Sequence, residues 1–240
     1  MITLYDIPSK LPQGCWSPNT RKARYCLKFK GIPYEVTWVE YPDIEPTCKK
    51  IGAPPTTKRP DGSPLYTFPV IHDSSTGAVI ADSVAIAEYL EITYPDTPKL
   101  FPPGTKALQI AFDAAHLVTL NVIYRFIRPG ALRILNPPSE AYFREQKFGP
   151  NDSYLPPEGE EWREKWEKVK ESFDLVNSWC EKSDGEFMMG NTISFADLAI
   201  GCRLYWIREL LGEQGAEWQD LKGWHGGRWS TLLQNVEKYA

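Results

Sequence analysis

The chain has little net charge, few histidines and no paired cysteines, and each shortage closes off a class of function. Its 240 residues carry 27 Lys and Arg against 31 Asp and Glu, a formal charge of −4 mixed along the whole length. Nucleic acid and anionic membrane surfaces call for a concentrated basic field, so neither is expected as a partner. His72, His116 and His225 stand alone, and the five cysteines (Cys15, Cys26, Cys48, Cys180 and Cys202) contain no C-x-x-C pair. No metal is assigned, because no ligand spacing supports one, and an odd, scattered set of thiols argues against a disulfide scaffold. The thiols are read as reduced and the protein as cytoplasmic. No uninterrupted apolar run is expected to cross a bilayer, and Met1 to Lys10 lacks the basic start and apolar stretch of a signal peptide. Asn151-Asp152-Ser153 has the form of a glycosylation acceptor but reads as a polar turn. Phosphate loops, hydrolase elbows and dinucleotide fingerprints are missing as well.

What is there is a core-forming composition, 42% hydrophobic, enough for one large core or two modest ones. Ile2 to Asp6 is β-prone. Pro18 to Lys30 is a helix with proline in its first turn and Gly31 just past its end, and Tyr34 to Val39 is a strand rich in β-branched and aromatic residues. Strand, helix and strand this close together make a right-handed βαβ unit with parallel strands. Tyr41 to Tyr66 carries little periodicity and is expected to be a loop with one short helix. Thr67 to Asp73 and Ala78 to Ala81 flank a hairpin-type connection, and Asp82-Ser83 opens a helix running to Glu91. Four prolines between Tyr94 and Gly104 mark a linker.

Beyond the linker the periodicity is helical. Trp162, Trp166, Val169, Phe173, Val176 and Cys180 alternate spacings of four and three, an apolar stripe read as core packing. Ser194 with Asp197 three residues on is a capping box, and Ile193 with Leu198 has the placement of a hydrophobic staple.

Three short motifs carry the chemistry: Cys15-Trp16-Ser17-Pro18 with Lys28-Phe29-Lys30-Gly31-Ile32-Pro33-Tyr34-Glu35, Phe68-Pro69-Val70-Ile71, and Ala81-Asp82-Ser83. Read alone, Ser17 and Asp82-Ser83 are compatible with plain helix caps, and Pro69 with an edge-strand proline. In this order, with the capping box downstream, they resemble the cytosolic glutathione transferases of serine type. Within that family the Trp-Ser-Pro start and the long loop from Tyr41 are similar to the fungal and bacterial branch related to β-etherases.

The resemblance implies a glutathione transferase fold, an α/β thioredoxin-like domain over residues 1–93, a linker over 94–104 and an all-α domain over 105–240. It implies that Ser17 donates a hydrogen bond to the glutathione sulfur. A hydroxyl donor and a helix N-terminus both favour the ionised thiol, which is then the nucleophile. It implies a cis Phe68–Pro69 bond that presents the Phe68 main chain to the cysteinyl part of glutathione, where the family has a small aliphatic residue instead of Phe. Asp82 would face the γ-glutamyl ammonium and Ser83 its carboxylate. One base among Lys49, Lys50, Lys58 and Arg59 would meet a glutathione carboxylate, with Lys58 taken as the candidate. Cys15 stands two residues out of register with the cysteine of other classes and is read as an inert or accessory thiol. Phe112, His116, Leu120, Tyr124 and Phe126, with Tyr142, Phe143 and Tyr154, are the aromatic and apolar candidates for the second substrate, placed in a cleft between the domains. The implied function is conjugation of glutathione to hydrophobic or aromatic electrophiles, as in detoxification, by a homodimer. A ligandin-type carrier of aromatic compounds and a glutathione-dependent ether-cleaving lyase or reductase are the alternatives.

Overall fold

The computed structural model describes residues 1–147 and 155–239. Two compact units divide the chain: Met1–Leu100 with Ile134–Gly149 and Tyr239–Ala240, and Phe101–Arg133 with Pro150–Lys238.

In the first unit, strands β1 (Ile2–Asp6), β2 (Tyr34–Trp38), β5 (Val70–Asp73) and β6 (Ala78–Ala81) form one sheet in the order β2-β1-β5-β6. β1 and β2 are parallel, and β5 runs antiparallel to both β1 and β6. Between the parallel strands runs helix α1 (Pro18–Phe29), and α3 (Ser83–Thr93) follows β6. The period-2 alternation of β1 buries Ile2, Leu4 and Asp6, and Asp6 is paired to Arg24 of α1 at 2.6 Å. The segment expected as a loop is more ordered than its composition indicates. It holds a 3-10 turn (Tyr41–Asp43), helix α2 (Ile44–Ile51) and a two-stranded hairpin of β3 (Thr57–Lys58) and β4 (Pro64–Leu65). Ile44 and Cys48 of α2 are buried with Ile7, Val39, Phe68 and Val70 in one apolar cluster, so two apolar positions one turn apart were enough to anchor this helix. The strand expected from Thr67 begins only at Val70, since Pro69 has no N–H to offer a ladder.

Helix α6 (Pro137–Lys147) also belongs to this first unit, although it lies beyond residue 104, where the all-α domain was expected to begin. It is held there by the turn at Tyr41–Asp43. The Tyr41 N–H donates to Ser139 Oγ at 2.9 Å, and Glu40 accepts from Asn136 Nδ2 at 2.8 Å and from the Ser139 hydroxyl.

The second unit is helical: α4 (Lys106–Thr119), a 3-10 segment (Leu120–Ile123), α5 (Tyr124–Ile134, whose last residue counts with the first unit), α7 (Gly159–Cys180), α8 (Phe195–Leu211) and α9 (Ala216–Glu237). The Lys106–Ile134 run is long and apolar enough to cross a membrane by length and composition, although Gln109, Asp113 and His116 interrupt its apolar residues. Gln109, Asp113 and His116 on it are nonetheless buried, and the Gln109 side chain accepts from the Ala196 N–H at 2.9 Å, which is the behaviour of a helix packed in protein. On α7, Trp166, Val169, Phe173, Val176 and Cys180 are buried, as the stripe requires. α8 is buried nearly all round and opens on the Ser194–Asp197 capping box. Gly130 sits where α5 meets α8 so closely that a Cβ would come within 2.1 Å of the Leu210 carbonyl oxygen.

Candidate functional site

Ser17 is the residue that precedes α1, with extended backbone (φ −65, ψ 130), and Pro18 occupies the first helical position. Its carbonyl accepts from the Arg21 N–H at 3.0 Å and from the Thr20 hydroxyl at 3.2 Å. Its own hydroxyl makes no cap bond, and none of the described residues hydrogen-bonds it. Although only 6% exposed, Ser17 lines a cavity of about 380 Å³. A hydroxyl that is left out of the cap and held at the positive end of a helix can serve as a donor to an anion in that cavity.

Phe68 lines the same cavity, and the Phe68–Pro69 peptide is cis. Among the described residues none pairs with the Phe68 main-chain N–H or C=O. A buried main-chain donor and acceptor side by side, both open, match an extended peptide laid along them. Glutathione fits this test, because its cysteinyl amide offers the reciprocal pair. The Asp82 N–H donates to the Pro69 carbonyl at 3.2 Å, which fixes the start of α3 beside that peptide. Asp82 takes a positive φ of 82° and its carboxylate caps α3, accepting from Val84 N at 2.8 Å and Ala85 N at 3.1 Å. Its side chain is exposed, whereas Ser83 is buried at the first helical turn. The geometry therefore brings Ser17 and Phe68 together in the cavity lining and leaves Pro69, Asp82 and Ser83 outside it, with Asp82 bonded to Pro69.

The basic residue is placed differently from the expectation. Lys58 is exposed on β3 and does not line the cavity; Arg59, the next residue, does. Successive side chains of an extended hairpin point to opposite faces, so a one-residue error changes which base faces inward. Arg59 is anchored by Glu45 at 2.8 Å and by the Pro64 carbonyl. Glu45 also takes Lys49 at 2.7 Å, and the bonds from Lys49 and Arg59 hold its carboxyl below the usual range. Both terminal nitrogens of the Arg59 guanidinium are thus engaged by the protein, which fixes its position at the cavity wall.

Cys15 is only 4% exposed and is not part of the lining. Burial raises its thiol, and that outweighs the opposing pull of Arg21, whose guanidinium donates to the sulfur at 2.8 Å, and of Arg24. A buried, protonated thiol is a poor nucleophile. All five cysteines are buried and free.

Of the candidates for the second substrate, His116, Leu120 and Phe126 are buried in the second unit, and Phe126 packs edge-on against Trp166 at 5.0 Å. Tyr154 lies outside the described residues. Of the candidates Tyr142 does line the cavity, together with Tyr41, Pro42, Tyr66 and Gln146, which were not among them. Tyr142 was legible as an aromatic in a Pro-rich stretch. Tyr41 and Gln146 carried no local signal, because they come to one cavity from segments about one hundred residues apart in sequence.

The chain matches the model of the glutathione S-transferase N-terminal domain over residues 16–93 and that of the C-terminal domain over residues 107–239. A glutathione S-transferase-like protein of Aspergillus flavus is 32% identical over an alignment that covers 98% of this chain and 91% of that protein. Among solved structures, a glutathione S-transferase of Ceriporiopsis subvermispora in complex with glutathione is 44% identical with a TM-score of 0.93, covering 99% of this chain and 97% of that one. A glutathione transferase from Phanerochaete chrysosporium is 41% identical with a TM-score of 0.91, covering 100% and 97%.

Proposed function

Because the chain belongs to the glutathione S-transferase family and is a glutathione transferase with glutathione as its co-substrate, we propose that it joins the glutathione sulfur to hydrophobic or aromatic electrophiles, with Ser17 as the donor that keeps the sulfur ionised. The observation that carries this reading is the Ser17 hydroxyl, which lines the cavity at a helix N-terminus and makes no bond to its own helix. A thiol of ordinary acidity is mostly protonated at neutral pH, and a hydrogen bond to the charged form shifts that balance. The thiol proton leaves to solvent and the sulfur lone pair forms a bond to the electrophilic carbon. In a substitution the leaving group departs with its bonding pair; in an addition the neighbouring carbon takes a proton from water.

Phe68 would hold the cysteinyl main chain, Asp82 the ammonium and Ser83 the carboxylate of the γ-glutamyl end. Arg59, which lines the cavity, replaces Lys58 in this proposal as the base for the remaining carboxylate. The fungal relatives at 41–44% identity support the fungal side of the expected branch. A role in detoxification, a homodimer and a cytoplasmic location form part of the same proposal.

The test is a calorimetric glutathione titration beside a conjugation assay with 1-chloro-2,4-dinitrobenzene, on wild type and Ser17→Ala. Glutathione binding with turnover that falls in the variant supports the reading. Binding of glutathione and aromatic ligands without turnover would replace it with a carrier.

A further inference from the structure

The residues assigned to glutathione leave one side of the cavity unexplained. Tyr41 and Tyr142 line it together, their rings stacked at 5.5 Å between centroids and 7° between planes. Trp16, the residue before Ser17, meets Tyr41 edge-on at 6.4 Å and Phe143 at 6.2 Å. The aromatic cluster is therefore continuous with the backbone that carries the reactive-side hydroxyl. Offset-stacked and edge-on contacts at these separations are the favourable aromatic geometries, and a further flat ring can extend such a stack.

A polar clamp joins the two segments that carry Tyr41 and Tyr142. The Glu40 carboxylate accepts from Asn136 Nδ2 at 2.8 Å and from the Ser139 hydroxyl, while Ser139 Oγ accepts from the Tyr41 N–H at 2.9 Å. Ser139 is fully buried, so this network replaces water at the seam between the turn and α6. Tyr142 lies three residues past Ser139, on a neighbouring position of the same helix face.

We propose that Tyr41 and Tyr142 are the wall on which a flat aromatic electrophile lies within reach of the sulfur held at Ser17, and that Glu40 is the positioning residue that keeps this wall assembled. The inference rests on the transferase reading above and adds the ring geometry of the substrate and the residues that select it. Glutathione touches neither the clamp nor the stacked pair in that reading, so electrophile and glutathione affinities should separate.

The experiment compares Glu40→Ala, Glu40→Gln, Tyr142→Ala and Tyr142→Phe. Two electrophiles are used, 1-chloro-2,4-dinitrobenzene as the flat aromatic and iodomethane as the small aliphatic. Glu40→Ala and Tyr142→Ala are expected to raise the aromatic KM about tenfold or more, with the iodomethane KM and the glutathione Kd changed less than about twofold. Glu40→Gln, which keeps an acceptor oxygen, and Tyr142→Phe, which keeps the ring, should restore most of the loss. Equal losses for both electrophiles, or a raised glutathione Kd, would reduce Glu40 to a structural role and overturn the proposal. If Glu40→Ala does not fold, the two Tyr142 variants decide. Calorimetric binding of 1,3-dinitrobenzene needs no turnover: with a wild type that conjugates neither electrophile, loss of that binding in Tyr142→Ala supports the wall alone, and equal binding removes it.

Discussion

Ser17→Ala separates two roles that a serine before a helix can have. If the hydroxyl capped α1, its removal would cost about 1 kcal/mol of stability. It makes no cap bond, so the unfolding free energy of the variant is expected to stay within about 0.5 kcal/mol of wild type. A hydrogen bond to an ionised group is worth roughly 1.5–3 kcal/mol, and 1.36 kcal/mol corresponds to about one pKa unit. The bound thiol should therefore titrate about 1–2 units higher in Ser17→Ala. Below both pKa values the ionised fraction, and kcat with it, should fall roughly 10- to 100-fold. The loss should shrink as pH rises through the variant's higher pKa, because the sulfur then ionises without help. The assay is thiolate ultraviolet absorbance of the glutathione complex against pH, together with kcat over the same range. An unchanged thiol titration, or an unchanged kcat beside a raised glutathione Kd, would refute the role given to Ser17.

Asp82→Asn keeps an N-cap acceptor and a side chain that tolerates positive φ, but removes the charge proposed to face the γ-glutamyl ammonium. Calorimetry should show glutathione Kd raised about fivefold, near 1 kcal/mol, with kcat at saturation unchanged. Asp73 is buried, which alone would raise its carboxyl, yet the bonds from Ser75, Tyr94 and Tyr89 outweigh burial and hold it down to about 2. A depressed carboxyl stabilises the fold above its unfolded pKa, and that stability is lost as pH falls toward about 2. Asp73→Asn should remove about 2 kcal/mol at neutral pH and flatten the decline in urea midpoint between about pH 4 and 2. Asp197 accepts from Met188 N at 2.8 Å and from the Ser194 N–H and hydroxyl, each at 2.9 Å. Asp197→Ala leaves these donors buried and should cost about 3 kcal/mol in urea unfolding, while kcat per folded molecule stays near wild type.

The elements that could be read from sequence are those whose cause is local. β1 falls on Ile2–Asp6 as expected, and α1 runs from the expected Pro18 to one residue short of the expected end. The Trp166–Cys180 stripe buries the face that its spacing predicts. Helix α6 was out of reach for the opposite reason. Its place in the first unit depends on Glu40 and Tyr41, about one hundred residues upstream, and neither its composition nor its period records that pairing. α2 is intermediate: two apolar residues, Ile44 and Cys48, anchor it, too few to register as periodicity in a segment rich in Pro, Lys and Gly.

At the site, residue type was legible and use was not. Lys58 and Arg59 are chemically alike in sequence, and only the parity of the hairpin decides which one lines the cavity. Ser17 and Asp82 are each a capping residue directly before a helix, and both can be read as a plain cap or as a ligand-binding group. The structure gives them different uses. Asp82 bonds Val84 and Ala85 of its own helix, so its charge reaches a ligand only through the oxygen and lone pairs left over. Ser17 makes no cap bond to its own helix with its hydroxyl, and the residue lines the cavity. The same sequence signal thus yields a structural cap at α3, for which a ligand contact is proposed as well, and at α1 a hydroxyl left out of the cap. It follows that substitution at Ser17 should register in the chemistry, and at Asp82 in binding and helix stability together.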